Sequence, residues 1–140
     1  MDIPLKPVGK EEIRKLESAI LLMSLFDRET FENIRNPETR LTWIDSLYIA
    51  AAALARDKAG IPITQISDEL GVTEMTIRKH LKGETKAGQI VARVYEKLSK
   101  EGFKLELPDE LSVECSRKIK ELEEKLELIR NVLKDLINKI

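Results

Sequence analysis

Only one cysteine and one histidine occur in the 140 residues, Cys115 and His80. A lone cysteine cannot close an intrachain disulfide, so a reducing cytoplasm is the expected setting. His80 has no neighbour at metal-ligand spacing, and no metal or other cofactor is expected. It is expected at the edge of the core or against a phosphate. Aromatic residues make up only 4%, so a core must be built from Ile, Leu, Val and Ala, which favours packed helices. No glycine-rich, phosphate-cradling loop is present, and Gly83 and Gly88 read as isolated punctuation. The carboxylates are spread over solvated helical faces and nominate no acid–base pair, so an enzyme is not expected. No apolar run reaches the length of a membrane span and no signal-peptide pattern opens the chain, so no membrane contact is expected.

A charge excess of one sign is missing as well. The net charge is -1, which argues against tight non-specific binding to nucleic acid. Its distribution is uneven. Residues 74–104 carry Arg78, Lys79, Lys82, Lys86, Arg93, Lys97, Lys100 and Lys104 against Glu74, Glu84, Glu96 and Glu101, so the positive charge gathers there.

That basic region opens with the most informative stretch, Thr64 to Lys82. Ile66 and Leu70 form the apolar stripe of one short helix. Gly71 follows where a helix end favours a left-handed residue, and Val72 can plug the core behind it. Thr73 is an N-cap for a second helix starting at Glu74, with Ile77 and Leu81 as its buried stripe. A short helix, a glycine turn and a second helix with a cationic, hydrogen-bonding outer face make a helix-turn-helix. Thr64 and Gln65 would offer donors to phosphate. Thr73, Glu74, Met75, Thr76, Arg78 and Lys79 would face the major groove, with Lys82 and Lys86 on the backbone.

Upstream, residues up to Val8 contain Pro4 and Pro7 and should be extended. A helix is expected from Lys10 to Leu25 on Ile13, Leu16, Ile20 and Met23. Asp27 caps a shorter one with Phe31 and Ile34 inward, and Asn36-Pro37 breaks it. Thr42 is expected to open a strong helix with Asp45 completing the cap, and with Ile44, Leu47, Tyr48, Ala51, Leu54 and Ala55 along one side. Its alanine run would let another helix approach closely.

Downstream, residues 89–100 form a helix on Ile90, Val91, Val94, Tyr95 and Leu98, leaving no room for a winged hairpin. Phe103, Leu105 and Leu107 alternate as a short strand would, paired with residues 3–8 or with a second copy. From Cys115 the apolar residues Ile119, Leu122, Leu126, Ile129, Leu133, Leu136 and Ile140 follow in alternating steps of four and three. This is a coiled-coil seam and points to a homodimer or higher homo-oligomer. Val132 and Ile137 widen the stripe, as in a helix packed on its own domain. Lys118 would meet Glu123 and Lys125 would meet Arg130 in a parallel pair, which leaves the direction open.

Two resemblances bear on these residues. Ser46 to Ala55, Ile66 and the run Val72 to Arg78 resemble the end of a cyclin-like repeat of archaeal transcription factor B, which implies DNA contact beside a promoter. Residues 41–88, notably His80 to Gly88, resemble a group of archaeal helix-turn-helix regulatory proteins encoded near KaiC-like ATPases, which implies a regulatory role. The expected protein is all-α, a helical bundle containing a helix-turn-helix, followed by a long coiled-coil-like C-terminal helix. Its expected parts are an N-terminal helical segment (1–36), a helix-turn-helix domain (37–101), a linker or short strand (102–109) and a self-association helix (110–140). The expected function is a DNA-binding transcriptional regulator with double-stranded DNA as partner. The alternative is a signalling adaptor to a KaiC-like ATPase, with the motif as scaffold.

Overall fold

The computed structural model describes residues 2–106 and 109–139, and only the backbone of 109–114. The described residues are all-α: α1 (Gly9–Leu25), α2 (Arg28–Arg35), α3 (Arg40–Lys58), α4 (Ile63–Leu70), α5 (Glu74–Leu81), α6 (Lys86–Glu101) and α7 (Asp109–Asn138). They fall into two compact units, Met1–Glu106 and Leu107–Ile140. No described helix is long and apolar enough to cross a membrane.

In the first unit α3 is the axle, packed by α1, α2, α4, α5 and α6. Sequence periodicity assigns α3 one inner side, but from Ala50 to Ala55 every residue is buried. The reason is volume: a methyl group on each side lets several helices close in at once. Ile44 and Tyr48, expected inside, are exposed; Ile44 precedes Leu47, the first buried residue of the helix. The start of α3 also differs. Thr39, not Thr42, stands at the N-cap position, and its hydroxyl donates to the Asn33 carbonyl at 2.8 Å. The turn at Asn36 leads directly into the helix, its carbonyl accepting from the Arg40 amide at 3.1 Å.

The main core joins Leu16 and Ile20 of α1, Leu47 and Ala51 of α3, and Ile90 and Val94 of α6. Residues 1–36 therefore share one core with the helix-turn-helix instead of standing apart from it. In α2 the Asp27 cap forms as expected, with Oδ1 accepting from the Glu29 amide at 3.1 Å. Thr30 is the buried residue of that helix; Phe31 and Ile34 are half-buried. No strand forms at 103–106, and Leu107 lies outside the described residues. Backbone pairing needs a partner strand, and residues 3–8 are irregular. Phe103 instead packs against the core beside Ile3 and Leu5.

Arg56 ties three helices together. Its Nη1 donates to Glu17 of α1 at 2.9 Å and to the Ala52 carbonyl at 3.0 Å, and its Nε to Glu69 of α4 at 2.8 Å. The Arg56 and Glu17 side chains are only 17% and 13% exposed, so this pair outweighs an ordinary surface salt bridge.

The junction of α5 and α6 is closer still. Gly88, in the first turn of α6, is buried against the end of α5; a Cβ there would collide with the His80 carbonyl and lie 2.9 Å from Thr85 Oγ1. It is a contact point between helices, not punctuation. Thr85 caps α6 by accepting from the Gly88 amide at 3.0 Å, and the same hydroxyl lies 2.7 Å from His80 Nδ1. Because the oxygen already accepts, its proton is best placed on Nδ1, which leaves a neutral imidazole protonated at Nε2. Burial lowers the His80 pKa, and the residue is 8% exposed.

Two outcomes follow. Gly88→Ala improves local helix propensity by about 1 kcal/mol, yet a backbone collision dominates, and urea unfolding should show a net loss of about 1–3 kcal/mol. His80 binds its proton more weakly when folded, so the unfolded chain takes up that proton first as pH falls. Stability should be full above the unfolded value of 6.5 and decline as pH drops from there toward the folded value. His80→Asn, which keeps an acceptor, should flatten that slope in denaturation curves recorded at each pH.

Candidate nucleic-acid interface

The helix-turn-helix forms where the sequence pattern places it. Gly71 ends α4 in the left-handed region at φ 68° and ψ 29°. Its amide donates to the Ser67 carbonyl at 2.9 Å. Ser67 Oγ donates in turn to the Val72 carbonyl at 2.5 Å, which fixes how the chain leaves the turn. Thr73 caps α5 by accepting from the Thr76 amide at 3.2 Å. Behind the motif, Ile66, Ile77 and Ala53 of α3 form a second buried cluster, flanked by Leu70, Val72 and Leu81. Ile77 is fully buried and sets the rotation of α5 about its axis.

That rotation decides what faces outward. Met75 is 65% exposed, and Arg78, Lys79 and Lys82 are exposed with it. Glu74 and Thr76 are half-buried, and Thr73 is exposed. His80 points inward to Thr85 and does not belong to this surface. The Thr73 and Thr76 hydroxyls lie 2.9 Å apart. One donates to the other, so the pair keeps one hydroxyl proton for an outside acceptor. Arg78 Nη2 lies 3.5 Å from Glu74 one turn back, with 55% of the Arg78 and 40% of the Glu74 side chain open to solvent. Such a pair is weak in water and gives way readily to a competing anion. Lys79 and Lys82 make no ion pair among the described residues.

The remaining expected contacts are less well gathered. Thr64 is exposed at the start of α4. Gln65 is exposed too, but its Nε2 donates to Glu69 at 3.2 Å, and it lines a cleft of about 510 Å³ with Gly9, Lys10 and Arg14 of α1. Hydrogen bonds from Arg56 and then Gln65 hold the Glu69 carboxyl below its ordinary range. Lys86 opens α6 and lies 3.9 Å from Glu29 of α2. Periodicity could not reveal Arg56 as the residue that anchors α4 to α1, because its partners Glu69 and Glu17 are 13 and 39 positions away. The Ser67 tether could have been read from a small polar residue one turn before the turn glycine.

On α7, Cys115, Ile119, Leu122, Leu126, Ile129, Leu133 and Leu136 are exposed. Ile140 lies outside the described residues. Among the described residues no group of His, Cys, Asp and Glu could hold a metal ion.

No protein-family model and no solved structure matches the chain. The uncharacterized protein MJ1053 of Methanocaldococcus jannaschii is 48% identical over 132 residues, spanning 94% of this chain and 78% of that protein. A match of that length cannot be confined to the 106 residues of the first unit, so it reaches into α7 as well. At that identity and coverage, this chain belongs to the same family as MJ1053.

Proposed function

We propose that the chain is a transcriptional regulator of an archaeal cytoplasm that binds double-stranded DNA through α5. The observation that carries this reading is the outward face of α5 and its C-cap, where Met75, Arg78, Lys79 and Lys82 stand exposed after a turn locked by a left-handed Gly71. A helix two turns long, capped by threonine and projecting from a bundle, fits the width of the major groove. Arg78 has the fork geometry for the edge of a guanine, and Met75 offers an apolar surface to a thymine methyl. Lys82 and Lys86 extend the cationic surface toward the phosphates. The resemblance to the transcription factor B repeat points the same way.

The second reading is a signalling adaptor for a KaiC-like ATPase. It is favoured by the exposed apolar seam of α7, which could dock a protein, and by the net charge of -1, which is low for a DNA binder. The helix-turn-helix would then be a scaffold.

Alanine substitution separates the two. Arg78 and Lys79 lie off the Ile77 stripe, so Arg78→Ala and Lys79→Ala should leave the melting temperature within about 1–2 °C of the parent. If α5 reads DNA, Arg78→Ala should weaken binding by about 1–3 kcal/mol and relax preference at one base position. Lys79→Ala should weaken all sequences alike and lower the salt slope by about one. Fluorescence anisotropy over a range of salt concentrations measures both. Equal binding by the parent and the double variant, or no binding at low salt, would favour the adaptor.

A further inference from the structure

We propose that the seam of α7 is occupied by the α7 of a second copy of this chain, lying parallel and in register as a two-stranded coiled coil. This stands on α7 alone and is independent of the DNA reading. Ile119, Leu122, Leu126, Ile129, Leu133 and Leu136 are each 53–64% exposed. Covering them together with Val132 and Ile137 would bury on the order of 100 Å² per residue, about 800 Å² on each helix, the size of a standard stable interface.

The residues flanking the seam argue for a second copy and set its direction. In a parallel, in-register pair, the residue just before each a position faces the residue five places later on the other helix. At that spacing Lys118 meets Glu123 of the second copy, Lys125 meets Arg130, and Val132 meets Ile137. The first contact attracts and the second repels. Arg130 lies 4.0 Å from Glu127 on its own helix, which blunts that repulsion. The third contact covers two apolar side chains that are otherwise 51% and 70% exposed.

An antiparallel pair with all heptads overlapped sets Glu123 against Arg130, which attracts, and Lys118 against Lys139, which repels. Val132 then faces Lys125, and Ile137 faces Ser116. Each direction holds two attractive and two repulsive charge pairs per dimer. Only the parallel one lets the two apolar flanking residues cover each other, on both sides of the dimer. Val132 and Ile137 widen the stripe because they extend the dimer core at its C-terminal end.

The test is Arg130→Glu in the full chain, with the dimer dissociation constant measured by sedimentation equilibrium. In the parallel dimer the substitution turns the Lys125 repulsion into attraction at two symmetric sites, and Kd should fall roughly fivefold. In an antiparallel dimer it would set two glutamates against each other and raise Kd. Native Cys115 gives a second readout. In register and parallel, the two thiols meet in the seam, and diamide should convert the parent into a disulfide-linked dimer that reductant reverses. Antiparallel helices would hold them ~38 Å apart. A parent that stays monomeric at high micromolar concentration, a Kd that rises or does not change, or an absence of Cys115 cross-linking would each overturn the proposal.

Discussion

The distance at which helices can approach α3 governs everything else in the first unit. Five alanines between Ala50 and Ala55, with Leu54 among them, keep the axle thin along its middle. Helix axes separated by small side chains sit at the near end of the 8–10 Å range. Five other helices can then share one partner although the domain contains few bulky side chains. The same helix serves both apolar clusters, with Ala53 under Ile66 and Ile77, and Ala51 and Ala55 in the main core. A larger residue at any of these positions would move α5 relative to α1 and α6 together.

Parts of this architecture were legible in the sequence because their causes are local. The left-handed Gly71, the Thr73 cap and the Ile77 stripe each follow from a residue and its neighbours within one or two turns. The faces of α1 and α6 were legible for the same reason, since each helix packs on one side only. Reading failed where the deciding partner was distant. Periodicity assumes one buried side, so it could not foresee α3 surrounded. The alternation of Phe103 and Leu105 looked like a strand, but no partner strand exists there and Phe103 joined the core. Gly88 looked idle because its significance is the backbone of residue 80, which only the fold brings into contact. Among the site residues, the α5 set was recoverable from caps and stripe; Gln65 was not, because Glu69 and the cleft beside α1 claim its amide.

Two kinds of electrostatic contact divide the work on the first unit. The half-buried fork of Arg56 holds α4 against α1 and α3; its bond to Glu17 is shielded from competing ions, whereas its bond to Glu69 is open to solvent on the carboxylate side. The Arg78–Glu74 pair on α5 is exposed to solvent at both ends and holds nothing in place. Strong pairing behind the motif and weak pairing on its face are what an anion-binding surface requires. The cations must be positioned by the fold without being neutralised by it.

The Ser67 tether, the Gly71 turn and the Thr73 cap leave α5 little backbone freedom to lose when something binds to it. Ordering a loose segment on contact costs about 1–2 kcal/mol for each residue fixed. Here that entropy has already been surrendered in folding. What remains to be frozen is the rotamer freedom of Met75, Arg78, Lys79 and Lys82, on the order of 0.5–1.5 kcal/mol for each side chain immobilised. For the DNA binding proposed above, a modest set of contacts would therefore yield useful affinity, and discrimination between sequences would fall to how well each one fits four flexible side chains on a rigid rod.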